Sequence, residues 1–147
     1  MIKPEDIRIG DLVRTNRDCA FPKDTKCVVT DIRTGKVFKD KVGVVNLSAI
    51  NDDDDGPWEA WCCYIEGIPV TFEFLEKNGF KEEQHQKDGA SEWYDFYNYN
   101  IGINIVYEVE GNKFAAYLDD KKLKEIKHVH ELQHILWALG LNIEIKV

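Results

Sequence analysis

The residues with the clearest chemical potential lie near the end of the chain, where His130–His134 reads H-E-L-Q-H and matches the H-E-x-x-H zinc motif. Two histidines four residues apart project from one side of a helix, and the intervening Glu131 can act as a general base on a metal-bound water. A third ligand is also required, and in the zincins it lies well downstream. Here Glu144 is the downstream candidate, and otherwise the fold would have to bring in a ligand such as His85 or His128. The motif makes a zinc-dependent hydrolase one hypothesis for this chain.

We expect the helix that carries this motif to be structural. Its apolar residues form one stripe at 3.6 residues per turn, and they are Val129, Leu132, Ile135, Leu136 and Leu139. His130 and His134 lie away from this stripe, on the side where a packed helix faces water, so we expect both rings to be exposed and to bind no metal. Gly140 stands where a left-handed C-cap belongs, and the alternation in Leu141–Val147 predicts a half-buried strand.

Aromatic residues are concentrated in two groups, Trp58–Trp61 and Trp93–Tyr99. Aromatic side chains are natural strand residues, and core packing accounts for most of them. Both faces of one strand cannot point into a single small core, however, and exposed aromatic patches tend to mark partner surfaces. We therefore name Trp93, Tyr94 and Tyr97 as candidate partner-binding residues.

The remaining residue types that could do chemistry form no recognisable site. The acidic segment 51–56 imitates the start of an EF-hand loop, but its twelfth position is Cys62 instead of Glu, so we expect an exposed charged loop. The four cysteines lack paired C-x-x-C spacing and are expected to be small buried side chains; they are Cys19, Cys27, Cys62 and Cys63. There is no nucleophile elbow, phosphate loop or dinucleotide fingerprint. We predict no catalytic residue, no cofactor and no metal.

Composition narrows the function classes further. A net charge of −8 argues against general nucleic-acid binding, although Lys36, Lys39 and Lys41 form one local basic candidate and the acidity leaves open a mimic of nucleic acid. No apolar run approaches the roughly 20 residues that cross a bilayer. The first residues lack the apolar core of a signal peptide, so we expect a cytoplasmic protein that does not contact membranes.

The pattern of elements predicts an α+β protein in two parts. Residues 1–66 carry about five short strand signals joined by turns, with a hairpin turn at Thr34-Gly35 and a strand over Trp58–Ile65, which predicts a small antiparallel β-barrel-like half. Residues 67–147 predict two helices against an antiparallel sheet. Because neither half has much core of its own, we expect the two to pack together.

Within the second half, the first helix begins after Thr71, an N-cap residue, and ends at Gly79. The polar stretch Lys81–Ser91 has no periodicity and is predicted to be a mobile loop. Three strands follow, over Trp93–Tyr99, Ile101–Val109 and Lys113–Leu118. Lys121–Lys127 fits a strand or a helix equally well.

Four short motifs resemble a known family. They are Ile7–Asp11, Gly67–Leu75, Asn78–Phe80 and Val129–Leu139. In this order they resemble motifs of short uncharacterised proteins encoded in phages, prophages and mobile elements of gut bacteria. The resemblance implies a mobile-element context and a two-part layout, but no activity. That family has Gln and Asn where this chain has Glu131 and His134, so the complete zinc motif is peculiar to this sequence.

These observations favour a non-enzymatic accessory protein of a phage or mobile element. It would act through contacts with an unidentified protein partner or with a second copy of itself. The zinc-dependent hydrolase and the acidic nucleic-acid mimic are the alternatives.

Overall fold

The computed structural model describes residues 2–19, 21–38, 41–50 and 57–147, with backbone only at 36–38 and 41. The chain divides into two compact units, Met1–Ile68 and Pro69–Val147. Each contains one five-stranded antiparallel sheet, and the described residues include only two α-helices. The predicted α+β class is therefore wrong, because the architecture is mostly β. Neither described helix is long and apolar enough to cross a membrane.

The first unit is built around an open sheet. Its strands are β1 Leu12–Thr15, β2 Lys26–Phe38, β3 Lys41–Ala49, β4 Trp58–Trp61 and β5 Ile65–Gly67. They are ordered β4-β3-β2-β1-β5, and Val13, Val29, Val45, Leu47 and Ile65 are fully buried in the core. The prediction of a barrel is wrong, because β4 and β5 stand at opposite edges of this sheet and do not pair with each other in the described part of the chain.

Two local predictions in this unit are also wrong. No turn forms at Thr34-Gly35, because β2 continues to Phe38 and Val37 pairs with Val42 of β3. The register is irregular between Arg33 and Val37, so Gly35 lies within the strand as it would in a β-bulge. The strand predicted over Trp58–Ile65 is interrupted by a 3₁₀ turn at Cys62–Tyr64, which separates β4 from β5.

The second unit is built around a sheet ordered β10-β9-β8-β7-β6. Its elements are α1 Phe72–Lys77, β6 Lys81–Asp88, β7 Ser91–Asn98, β8 Ile103–Glu108, β9 Lys113–Leu118, β10 Lys121–Ile126 and α2 Val129–Ala138. The predicted start of α1 is confirmed, because the Thr71 hydroxyl accepts a hydrogen bond from the Phe74 N–H. Gly79 and Gly140 both follow a helix at positive φ, as predicted.

The loop predicted over Lys81–Ser91 is wrong, because most of it is the edge strand β6. Every residue of β6 is exposed, so neither face had to be apolar and no alternation marked the strand. β10 forms the opposite edge and is exposed at every residue except Ile126. Both edges are polar for the same physical reason.

The strand predicted over Leu141–Val147 is wrong as well. The Asn78 amide takes the place of a partner strand, because its Nδ2 donates to the Lys146 carbonyl and its Oδ1 accepts from the Lys146 N–H, both at 2.8 Å. The Lys77 ammonium donates to the Val147 carbonyl at 3.0 Å. Alternating apolar residues therefore need a free sheet edge before they form a strand.

One face of the second sheet packs on α1. Phe72 lies in an aromatic cluster, with ring centroids 4.8 Å from Phe96, 5.1 Å from Tyr94 and 5.1 Å from Tyr107. Because side chains alternate along a strand, Trp93, Asp95 and Tyr97 point to the opposite face. Neither described helix makes a ring contact with Trp93 or Tyr97 on this opposite face. We call it the open face.

Candidate functional site

The glutamate of the zinc motif is occupied by a structural role. Its carboxylate accepts hydrogen bonds from the backbone N–H of Lys127 at 2.6 Å and of His128 at 3.0 Å, forming a capping box at the start of α2. Burial alone would raise the pKa of Glu131, but these two hydrogen bonds, together with the neighbouring charges of Lys124 and His128, hold the pKa below its usual value. Both hydrogen bonds are accepted by Oε2, and Oε1 lies 3.8 Å from the Lys124 ammonium, so the carboxylate stabilises the start of the helix.

The prediction that both imidazoles face water is wrong for His130, which is 4% exposed. Its Nδ1 has no hydrogen-bond partner, and burial together with the neighbouring His128 lowers its pKa to about 4. His134 is half-buried, and its ring centroid lies 5.8 Å from that of His130. At neutral pH the His130 ring is therefore an uncharged, enclosed side chain.

The burial of His130 reflects a rotation of the buried face of α2. Gln133 is also buried, whereas Ile135 is half-buried and Leu139 is 38% exposed. Each residue advances about 100° around the helix, so the buried face is turned from the apolar stripe towards His130 and Gln133.

Of the candidate third ligands, His128 lies near these histidines, with its ring stacked on that of His130 at a centroid distance of 5.5 Å, but in the described part of the chain no cluster of three or more His, Cys, Asp or Glu side chains could hold a metal ion. His85 instead bonds Glu92 at 2.8 Å and stacks on Tyr94 with ring centroids 4.1 Å apart. Glu144 lies exposed in the C-terminal segment. Within the described ranges, the residues around α2 therefore do not fit a zinc centre.

The buried thiols do not supply a nucleophile. Burial raises the pKa of Cys27 to about 12 and that of Cys62 to about 11, so both remain protonated at neutral pH. The acidic segment 51–56 and Lys39 lie outside the described residues, as do the side chains of Lys36 and Lys41.

The three predicted partner-binding aromatics do not share one surface. Tyr94 belongs to the aromatic cluster on the α1 face, between Phe72 and His85. Trp93 and Tyr97 lie half-buried on the open face. The period-2 alternation of β7 predicts this division. Residues 93 and 97 are an even number of positions apart and share a face, whereas residue 94 points to the other face.

The open face holds a groove of about 770 Å³ across β7, β8 and β9. In register, Asp95, Val106 and Ala115 form a middle row of short side chains. The row on one side contains Tyr97, Asn104 and Tyr117, and the row on the other contains Trp93, Glu108 and Lys113. Large side chains on both sides of a short middle row leave the depression. We call it the acidic aromatic groove.

The groove continues into a smaller hollow of about 330 Å³ beside the β9–β10 hairpin. The two share Asp95, Asn104 and Asp120, and the Asn104 amide donates to the Asp95 carboxylate at 3.2 Å. The hairpin turn is Asp119-Asp120, with φ of 47° and 62°, a conformation that favours Asn-Gly over two aspartates.

The lining of the groove is acidic, and two lysines stand at its edge, where Lys113 is in register with Glu108 and Lys122 with Tyr117. The residues lining the groove and the hollow include six carboxylates and no Lys, Arg or His; the six are Glu92, Asp95, Glu108, Glu110, Asp119 and Asp120. The Glu92 carboxylate already has partners, because it accepts hydrogen bonds from His85 and from the Lys87 ammonium. These hydrogen bonds lower its pKa. On the neighbouring β10, the Lys122 ammonium is paired with Glu125 at 3.0 Å.

Glu108 lies near two cations, because Lys113 is its cross-strand partner and Lys122 interacts with it electrostatically, but neither forms an ion pair with it. Within the described residues, no basic side chain forms an ion pair with Glu108, Glu110, Asp119 or Asp120. Sequence reasoning missed these residues, because they are scattered along the chain and meet only through strand register.

Comparison with protein-family models, with curated proteins and with solved structures found no match.

Proposed function

We propose that this chain is a non-enzymatic binding protein, an accessory protein of a phage or mobile element, that contacts another protein through the acidic aromatic groove. The observation that carries the proposal is the row geometry of the open face, where half-buried Trp93, Tyr97 and Tyr117 flank a groove lined mainly by carboxylates. The mobile-element context is supported by the four sequence motifs alone.

The groove has the features of a contact surface. Tryptophan and tyrosine are over-represented among residues that carry most of the binding energy at interfaces, because they bury a large area with few rotatable bonds. Unpaired carboxylates around them favour partners of opposite charge and speed encounter. A groove of this size bordered by two tyrosines and a tryptophan is therefore suited to hold part of another chain.

The described residues give less support to the alternatives. A hydrolase would need Glu131 free to activate water, yet its carboxylate caps α2. A nucleic-acid mimic would present its carboxylates along an extended outer surface with the spacing of phosphates. The carboxylates of the groove instead surround a depression and alternate with aromatic rings.

Site-specific photocrosslinking tests the proposal. We would place benzoylphenylalanine at position 93 or 117, with Trp58 as the matched control position because it is an exposed aromatic of the other unit. We expect the two groove positions to give a shared protein adduct in the cells that encode the chain, and position 58 to give none. A shared adduct of twice the chain's mass would assign the contact to self-association. Identical adducts from all three positions, or none from the groove, would refute the proposal.

A further inference from the structure

The chemistry of the acidic aromatic groove identifies the kind of segment that it would hold. We propose that the groove binds an extended, arginine-bearing segment of a partner protein, with guanidinium groups stacked on the aromatic rings and paired with the carboxylates. This inference rests on the proposed function and specifies its partner.

Charge complementarity gives the sign of the occupant. Glu108 and Glu110 lie at one end of the groove, Asp119 and Asp120 at the hairpin end, and Asp95 between them. The carboxylates at both ends are exposed and outnumber the two lysines at the edge of the groove, Lys113 and Lys122, so this surface attracts cations. A cationic occupant can pair with carboxylates at both ends, whereas a neutral sugar or an apolar peptide would leave them without an ion pair.

The aromatic walls select among cations. Arginine has a planar, weakly hydrated guanidinium that stacks on aromatic faces and pairs with carboxylates through two parallel hydrogen bonds. Lysine presents a compact and strongly hydrated charge that gains less from a ring. Trp93 and Tyr117 offer half-buried rings, with Glu108 beside Trp93 and Asp120 at the hairpin that follows Tyr117. Ring and carboxylate thus occur together at each end.

The spacing of the rows suits an extended chain. Trp93 and Tyr97 lie four residues apart on β7, so their Cα atoms are separated by about 13 Å, with the short Asp95 row between them. An extended segment places side chains on one face every two residues, about 7 Å apart. Two arginines separated by three residues, about 13 Å apart, would therefore reach both ends of the groove.

Titration with four synthetic peptides tests the inference. The probes are acetylated, amidated eight-residue peptides that alternate glycine with arginine, lysine, citrulline or serine, and binding is followed by calorimetry at low and at physiological salt. Citrulline keeps the shape of arginine and removes its charge, so it isolates the electrostatic contribution. We expect the arginine peptide to bind at least fivefold more tightly than the lysine peptide, and the citrulline and serine peptides not to bind.

Matched variants separate the groove from the general acidity of the chain. Trp93→Ala is compared with Trp58→Ala, and Glu108→Gln with Glu76→Gln, which removes the same charge from an exposed helical position. We expect each groove variant to weaken arginine-peptide binding at least fivefold and each control variant less than twofold. Equal losses in groove and control variants would overturn the inference, since binding would then follow net charge alone.

The two proposals fail in different ways. If the groove crosslinks to a protein but the arginine peptide binds no better than citrulline, the arginine assignment is overturned and the binding function stands. If the groove gives no adduct and no peptide binds, both are overturned.

Discussion

Replacing Glu131 separates the capping role of the H-E-x-x-H glutamate from a catalytic one. In Glu131→Ala, α2 loses two charge-assisted hydrogen bonds to the N–H groups of Lys127 and His128. A lost cap costs about 1–2 kcal/mol, and a side chain that is only 22% exposed belongs near the upper end, so we expect a loss of about 2 kcal/mol in unfolding free energy. Glu131→Gln keeps an acceptor oxygen but loses the charge, and we expect a loss of about 1 kcal/mol.

Urea unfolding followed by far-ultraviolet circular dichroism measures both losses. Glu144→Gln is the control, because Glu144 is exposed and was the downstream candidate for a zinc ligand. The lowered pKa of Glu131 means that its carboxylate contributes stability above the ordinary value of 4.5, and that this stability is lost as the pH falls through the folded-state pKa. The gap between wild type and Glu131→Gln should thus be largest at pH 7 and narrow towards pH 3. Equal stability at pH 7 would refute the capping role, since a purely catalytic glutamate can be replaced without loss of stability.

Two further predictions concern the hairpin and the buried histidine. Changing Asp119-Asp120 to Asn-Gly should stabilise the chain by about 0.5–1 kcal/mol in the same urea assay, because both positions have positive φ, and should weaken arginine-peptide binding; an unchanged affinity would remove these carboxylates from the groove's function. The folded-state pKa of His130 is about 4, below its ordinary 6.5, so the unfolded chain takes up a proton first as the pH is lowered. The unfolding free energy should therefore decrease as the pH falls from 6.5 to 4, by up to about 1.4 kcal/mol per pH unit. His130→Leu should remove that part of the pH dependence, and an identical profile would contradict the enclosed, neutral ring.

Patterns with one buried side were predictable from the sequence. Alternation defined the strands β7, β8 and β9, and β9 has the predicted bounds Lys113–Leu118. The N-cap at Thr71 and the glycines at 79 and 140 fixed the helix ends. In each case a local physical requirement, either a face to bury or a terminus to cap, is written in neighbouring residues.

What the sequence did not reveal depends on partners distant along the chain. β6 has no apolar face and therefore no pattern, while the segment after Gly140 has the pattern but meets the Asn78 amide instead of a strand. The burial of His130 depends on how α2 is rotated, which a helical stripe alone does not determine. The groove needed the registers of three strands before Asp95 and Tyr117 could be placed side by side.

The polar edge strand β6 affects how readily this chain aggregates at high concentration. All eight of its residues are charged or polar, so a second molecule that docked along its free backbone groups would have to strip water from these side chains. The polar edge of the sheet that carries the groove thus disfavours strand pairing between molecules. Substitutions that introduced valine or isoleucine there would turn a protected border into a template for fibre growth.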